Sequence, residues 1–169
     1  REFGIRSTGW DGLFSVEGKT GNAKIKGSLT VGGAIIRKVA VATDLGPNDE
    51  TDSGQIKSRV LKFTKVHKDT AIRILYCDNL RVLGKNAAAR WELKIDGKAP
   101  PGGGLYYDKY GSEGNYHRPT TLMGCAIGLA PGTHTIGVWI GKIPGRPKCN
   151  AYTGWSNSRW TIEAEEVWI

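Results

Sequence analysis

Three histidines, three cysteines and a closely spaced set of glutamates are the side chains of this 169-residue chain best suited to chemistry. His67, His117 and His134 stand far apart, and no two have the spacing that places a pair of imidazoles on one metal. Each reads as a turn or surface histidine, so no metal site is expected. Glu163 and Glu165 lie two residues apart and share one face of any strand, the arrangement of an acid–base pair. A solvated outer face opposite Trp160 and Ile162 explains the same spacing. The chain has no glycine-rich loop ending in Lys-Ser or Lys-Thr. Gly102-Gly103-Gly104 follows Pro100-Pro101 and reads as a flexible loop, not a phosphate cradle. No serine nucleophile elbow or Ser-His-Asp order is present. No catalytic residue and no cofactor are therefore expected, and the chain reads as a binder and not an enzyme.

The cysteines, Cys77, Cys125 and Cys149, are odd in number and allow at most one intrachain bridge. Cys125 and Cys149 flank the segment 133–140, and a hairpin-like return would bring them together. Three buried thiols fit the sequence equally well. Aromatic residues gather in two places. Tyr106, Tyr107, Tyr110, Tyr116 and His117 share a glycine-rich polar stretch with Lys109 and Arg118. Tyrosine on loops supplies rigid contact area with a polar tip, so the stretch is either a recognition surface or a subunit interface. Tyr152, Trp155 and Trp160 fall near the last strands and are expected in the core.

These residues are positioned by strands. Trp91, Leu93 and Ile95 alternate with Glu92, Lys94 and Asp96, the period of a half-buried strand. Ile72 and Ile74 flank Arg73. Ile136, Val138 and Ile140 form one face, with Gly137 and Gly141 on the other. Trp160, Ile162 and Ala164 repeat the pattern near the C-terminus. Clusters such as Gly46-Pro47-Asn48-Asp49, Asp96-Gly97 and Pro144-Gly145 separate these runs. No stretch of helical periodicity occurs, and the pattern predicts an all-β sandwich.

The first 45 residues differ. Lys24 to Gly33, KIKGSLTVGG, alternates but carries little bulk to bury, and an isolated strand pairing is marginal in water. Intertwining with copies of itself is the simplest remedy. A boundary is expected in the polar stretch between Asp44 and Gly54, giving a stalk over 1–45 and a head over 46–169. The net charge is +8, but Lys57, Arg59, Lys62, Lys65, Lys68, Arg73, Arg81, Lys85 and Arg90 are spread along the strands. With no dense basic tract, nucleic acid is not an expected partner. An anionic cell-surface glycan, towards which a basic head is steered, is. The longest apolar stretch, 124–131, is far short of the roughly 18 residues a span requires, so membrane insertion is not expected. Any export signal is expected outside these residues.

Two stretches resemble the C-terminal globular domain of the collagen triple helix repeat-containing proteins. One runs from Ser53 to Gly97, with Ser-Gly, Ile-Lys, Phe-Thr-Lys, an Ala-hydrophobic-Arg strand, Leu-Arg, Asn-Ala and Arg-Trp. The other runs from Gly124 to Val167, with Cys125, VWIG at 138–141, TGW at 153–155 and a closing IEAEEV. The middle, Lys98 to Leu122, departs from the pattern. The family's cysteine pair corresponds to Cys125 and loosely to Cys149; Ala88 and Ala89 replace further cysteines, and Cys77 has no counterpart. The resemblance implies a trimeric jelly-roll head of the complement and tumour-necrosis-factor kind. KIKGSLTVGG is in turn similar to repetitive β-segments of phage and injection-system tail fibres. Together they imply a homotrimer whose C-terminal head binds a cell-surface receptor or glycan on the outside of a particle or cell. The contact residues expected are Tyr106, Tyr107, Tyr110, Tyr116, His117 and Arg118, where the loop departs from the family. A secreted collagen-repeat-type ligand and a glycan-cleaving tip using Glu163 and Glu165 are the alternatives.

Overall fold

The computed structural model describes residues 3–6, 12–16, 18–25 and 39–169. The chain divides into two compact units, Arg1–Ile36 and Arg37–Ile169. In the first, β1 (Phe3–Arg6), β2 (Gly12–Val16) and β3 (Ala23–Ile25) form an antiparallel sheet in that order. Of the expected stalk motif, Lys24 and Ile25 belong to β3; its remaining residues lie outside the described ones.

The second unit starts before the expected boundary, because β4 (Val39–Leu45) pairs along its whole length with the C-terminal strand β12 (Arg159–Trp168). Residues 39–45 therefore belong to the sheet of the head. The other strands are β5 (Gly54–Lys65), β6 (Thr70–Val82), β7 (Ala88–Ile95), β8 (Leu105–Tyr110), β9 (Arg118–Ala126), β10 (Gly132–Lys142) and the short β11 (Ala151–Thr153). One sheet runs β4-β12-β6, with β9 completing it beyond β6 and β11 pairing with the end of β6. The other runs β5-β10-β7-β8. All pairings are antiparallel. This interleaved order, in which sequence neighbours such as β4 and β5 or β6 and β7 lie in opposite sheets, is that of a jelly roll.

The alternating residues of both sheets meet between them. Ile72, Ile74, Trp91, Leu93, Ile136, Val138 and Ile162 are fully buried, and the Trp91 indole donates to Thr153 Oγ1 at 2.8 Å. One strand breaks the alternation. In β5 the register against β10 slips between Gly137 and Val138, a bulge that moves the inward face from Ile56 to Arg59, Leu61 and Phe63. Arg59, one of the cations spread along the strands, is consequently fully buried. Its Nε donates to Asp78 Oδ2 at 2.8 Å, and its Nη atoms donate to the carbonyls of Gly46 and Pro47 at 3.1 and 3.0 Å. The Tyr76 hydroxyl donates to Asp78 at 3.0 Å, and the Trp160 indole donates to the Gly46 carbonyl at 2.7 Å. A buried charge is tolerated only when paired and hydrogen-bonded in this way. The network ties β5, β6, β12 and the β4–β5 loop together at one end of the sandwich.

Glu166 organises the opposite end. Its carboxylate accepts from the amides of Val66 and His67 at 2.8 and 2.7 Å and from Thr70 Oγ1 at 2.6 Å, closing the β5–β6 turn. Burial raises its pKa, but the bonds from Thr70, Val66 and His67 outweigh it and leave the carboxyl below its usual range.

Candidate functional site

The six expected contact residues do not form one loop. Tyr106, Tyr107 and Tyr110 lie on β8, a strand in what the sequence presents as a loop, and period two separates them. Tyr106 and Tyr110 face outward, at 48% and 57% exposure, while Tyr107 packs against the core. Tyr106 lies 3.8 Å beneath the Arg90 guanidinium, which makes a two-pronged pair with Asp108 at 2.6 and 2.7 Å. Tyr110 stacks with Arg146 at 4.9 Å.

Tyr116, His117 and Arg118 belong to a different place, the loop before β9 and the first residue of β9 itself. This is the end of the sandwich away from Val39. The register explains it: Arg118 pairs with Leu80, beside Arg81, and Tyr152 pairs with Arg81 from β11. The His117 ring lies 4.0 Å from that of Trp155 and edge-on to Tyr152 at 5.2 Å. The Arg81 guanidinium sits 4.7 Å over Tyr152 and donates to Asn115 Oδ1 at 2.9 Å. Tyr152 and Trp155, expected in the core, thus face this cluster instead; only Trp160 is buried, and Trp155 is 46% exposed. Just before Trp155, Gly154 at φ 82° brings the backbone close over Arg59, where a Cβ would fall 2.7 Å from its Nη2.

Its electrostatics are one-sided. Burial of the ring, then the Arg81 charge, hold His117 below its ordinary pKa. Burial, then Arg118, lower Lys109 likewise. Arg81, Lys109 and Arg118 make no ion pair among the described residues, and neither does Glu113 in the same loop. Arg81 Nε is buried with no hydrogen-bond partner, and the buried His117 ring has the Gly154 carbonyl as its nearby acceptor. An orphaned donor such as Arg81 Nε is uncommon in folded proteins. No residue spacing announces this group, because Arg81, His117, Tyr152 and Trp155 meet only through the pairing of β6 with β9 and β11.

The glutamate pair does not form an open acid–base site. Both residues are on the outer side of β12, but Glu165 is 3% exposed and ion-paired with Arg73. His134 bridges Asp96 Oδ2 at 2.7 Å and the Ala130 carbonyl at 3.0 Å, and His67 packs 5.5 Å from Trp168. Among the described residues no three His, Cys, Asp or Glu side chains gather as a metal site, and no helix is long and apolar enough to cross a membrane.

The family model described as the CTHRC1 C-terminal domain matches residues 44–162, most of the chain. The chain belongs to that family. Among solved structures, this CTHRC1-type domain is similar to the globular domain of zebrafish complement 1qA (12% identity, 78% of this chain and 96% of that one, TM-score 0.37). It is also similar to the tripod (BppUct-A-L) of the bacteriophage Tuc2009 baseplate (17% identity, 89% and 82%, TM-score 0.37). A third similarity is to the exo-β-1,3-galactanase of Phanerochaete chrysosporium (12% identity, 89% and 32%, TM-score 0.29).

In this CTHRC1-type domain the candidate Cys125–Cys149 bridge is not formed: all three cysteines are free. The cause is register. Cys125 pairs with Arg73 near the start of β6, whereas Cys149 precedes Asn150, whose carbonyl accepts from Leu83 beyond the end of β6. The two sites are about ten strand residues apart, or roughly 30 Å at ~3.3 Å per residue. A disulfide requires Cα atoms within about 7 Å. Cys125 is exposed, and Cys149 is half-buried with its thiol 3.8 Å from the Gly141 carbonyl.

Proposed function

We propose that this chain is the receptor-binding tip of a trimeric fibre, of a phage tail or a contractile injection system, and that it works outside the cell without catalysing a reaction. Its partner is a cell-surface receptor or glycan presenting acidic groups. The observation that carries this reading is the far-end cluster, where Arg81, Lys109, His117 and Arg118 converge with no carboxylate paired to them and the buried Arg81 Nε lacks an acceptor. An unpartnered buried donor costs about 1–3 kcal/mol, which an incoming carboxylate or sulfate recovers once Trp155 yields. Tyr116, 58% exposed and 5.8 Å from Arg118, extends the contact area.

The outer face of the β4-β12-β6-β9 sheet supports the trimer. One row across it reads Val41, Glu163, Leu75, Met123, and the next Thr43, Thr161, Cys77, Thr121. Val41 and Met123 are 52% and 63% exposed, with Val39 and Leu45 beside Val41 on β4. This face carries the charges of Glu163 and of the paired Glu165 and Arg73; exposed apolar side chains grouped beside them mark a subunit contact, and three sites on one assembly compensate for weak single-site binding. The burial of Glu165 under Arg73 weighs against a glycan-cleaving tip.

A second reading, the secreted collagen-repeat-type ligand, is favoured by the family match over residues 44–162. Light scattering on the eluting protein tests the assembly: a mass near three times 18.3 kDa is expected, and Val41→Asp with Met123→Asp lowers it to that of the single chain. A monomer of the unmodified protein overturns the fibre reading. Binding to an acidic glycan array is expected to fall on the order of tenfold in Arg81→Gln or Arg118→Gln; unchanged binding removes the cluster from recognition. Binding to bacterial cells supports the fibre tip, and binding to animal cells alone supports the secreted ligand.

A further inference from the structure

The outer face of the β5-β10-β7-β8 sheet carries a groove built by the two outward glycines of β10. Register places Gly137 beside Lys94, Trp139 between Gln55 and Glu92, and Gly141 beside Arg90. The Trp139 indole lies down across Gly137: a Cβ there meets its Cζ3 at 2.6 Å and Gln55 Nε2 at 2.9 Å. At Gly141 a Cβ meets nothing within 4 Å, and the backbone there is ordinary strand. One glycine is thus covered by an aromatic ring and the other left open, which hollows a groove of about 320 Å³. That volume is at the lower end of ligand sites, which run from ~300 to 1,000 Å³.

The walls of the groove are held in place. Arg90 is fixed by Asp108 on one side and the Tyr106 ring on the other. Lys94 reaches Glu92 at 3.3 Å and lies 5.6 Å from the Trp139 ring. Each of these two cations is balanced by a carboxylate. Lys142, at the exposed end of β10, has no ion pair among the described residues, so the groove retains one positive charge.

The geometry points to a saccharide subsite for a uronate-type pyranose, a sugar ring carrying one carboxylate. The apolar face of the ring lies on Trp139, its hydroxyls exchange hydrogen bonds with Glu92, Lys94 and Ser53, and its carboxylate meets Lys142. A flat aromatic floor with donors and acceptors of both signs suits a ring that has one C–H face and a hydroxylated rim. The single unpaired cation selects the acidic sugar over the neutral one. The subsite is separate from the far-end cluster and stands whether or not that cluster binds a receptor.

Titration of the whole chain with trigalacturonate, followed by amide and indole NMR and by calorimetry, tests it. Millimolar or tighter binding is expected, with shifts centred on Trp139, Gly141 and Lys142. Gly141→Phe, which fills the groove without touching the core, is expected to abolish it. Lys142→Gln is expected to weaken it about fivefold to tenfold and to erase the preference over the methyl ester. Shifts at Trp139, Gly141 and Lys142 report this subsite and shifts at Trp155 and His117 report the far-end cluster, so failure of the far-end reading and failure of this one are distinguishable. Trp139→Ala serves as the second blocking variant, each variant checked by an otherwise native amide spectrum. No shifts with trigalacturonate, or wild-type affinity in both blocked variants, overturns the subsite. Equal binding of the methyl ester overturns the carboxylate assignment.

Discussion

Breaking the Arg59–Asp78 pair is expected to be among the most damaging single changes in the head. Both side chains have zero exposure, and Arg59 also satisfies two backbone carbonyls of the β4–β5 loop. Asp78→Asn keeps the shape but leaves the guanidinium as an uncompensated buried charge, which costs about 3–5 kcal/mol. Arg59→Met leaves the carboxylate with only the Tyr76 hydroxyl and the Asn79 amide, and takes the donor from the Pro47 carbonyl while Gly46 keeps the Trp160 indole. Its cost belongs in the same range. At ~4 °C per kcal/mol for a domain of this size, either change lowers the unfolding midpoint by roughly 12–20 °C. Because the two changes remove one interaction, the double variant Arg59→Met with Asp78→Asn is expected to recover at least ~2 kcal/mol of their sum. Urea unfolding of the four proteins at one fixed concentration, so that any assembly contributes equally, measures the cycle. A loss below about 1 kcal/mol in Asp78→Asn, or additivity within ~0.5 kcal/mol, refutes the claim that this pair organises the far end.

Three further expectations follow from particular groups. His117 has a folded-state pKa below its unfolded value near 6.5, so protonation favours unfolding. Its contribution is fully present above about pH 6.5 and is lost as pH falls through that value towards the folded pKa. The midpoint of the wild type therefore drops more than that of His117→Phe between pH 7.5 and 5.5 on thermal melts, and parallel curves contradict the assignment. The thiols differ in reactivity: exposed Cys125 reacts first with a disulfide reagent, whereas Cys149, pushed up to about 11 by burial and then by Asp52, reacts slowly at neutral pH. Intact mass without reductant is expected to show no intrachain bridge, and a mass two hydrogens lighter contradicts the register argument. Gly111→Ala is expected to destabilise the head strongly, because the new Cβ falls 2.1 Å from the Gly84 carbonyl oxygen. A melt within a degree or two of wild type disproves the close approach of the β6–β7 and β8–β9 loops.

The amino-acid pattern alone determined the strands and their inward faces wherever burial is one-sided. Ile72 and Ile74, Trp91 to Ile95, Ile136 to Ile140 and Trp160 to Ala164 alternate in sequence and are buried in the fold, since only a strand puts every second side chain on one face. The head's family was also legible, from motifs spread over the strands and the turns between them. What the sequence did not contain is information carried by pairing between distant segments. The β5 bulge turns Arg59 inward, and a period-two reading has no means of placing that extra offset. Strand β8 splits Tyr107 from Tyr106 and Tyr110, while the β6–β9 register carries His117 and Arg118 to Arg81 and Tyr152. The same register sets Cys125 and Cys149 apart. Gly137 and Gly141 look alike in sequence; only the tertiary structure lays an indole over one and leaves the other open, because the space above a glycine is decided by its neighbours across the sheet.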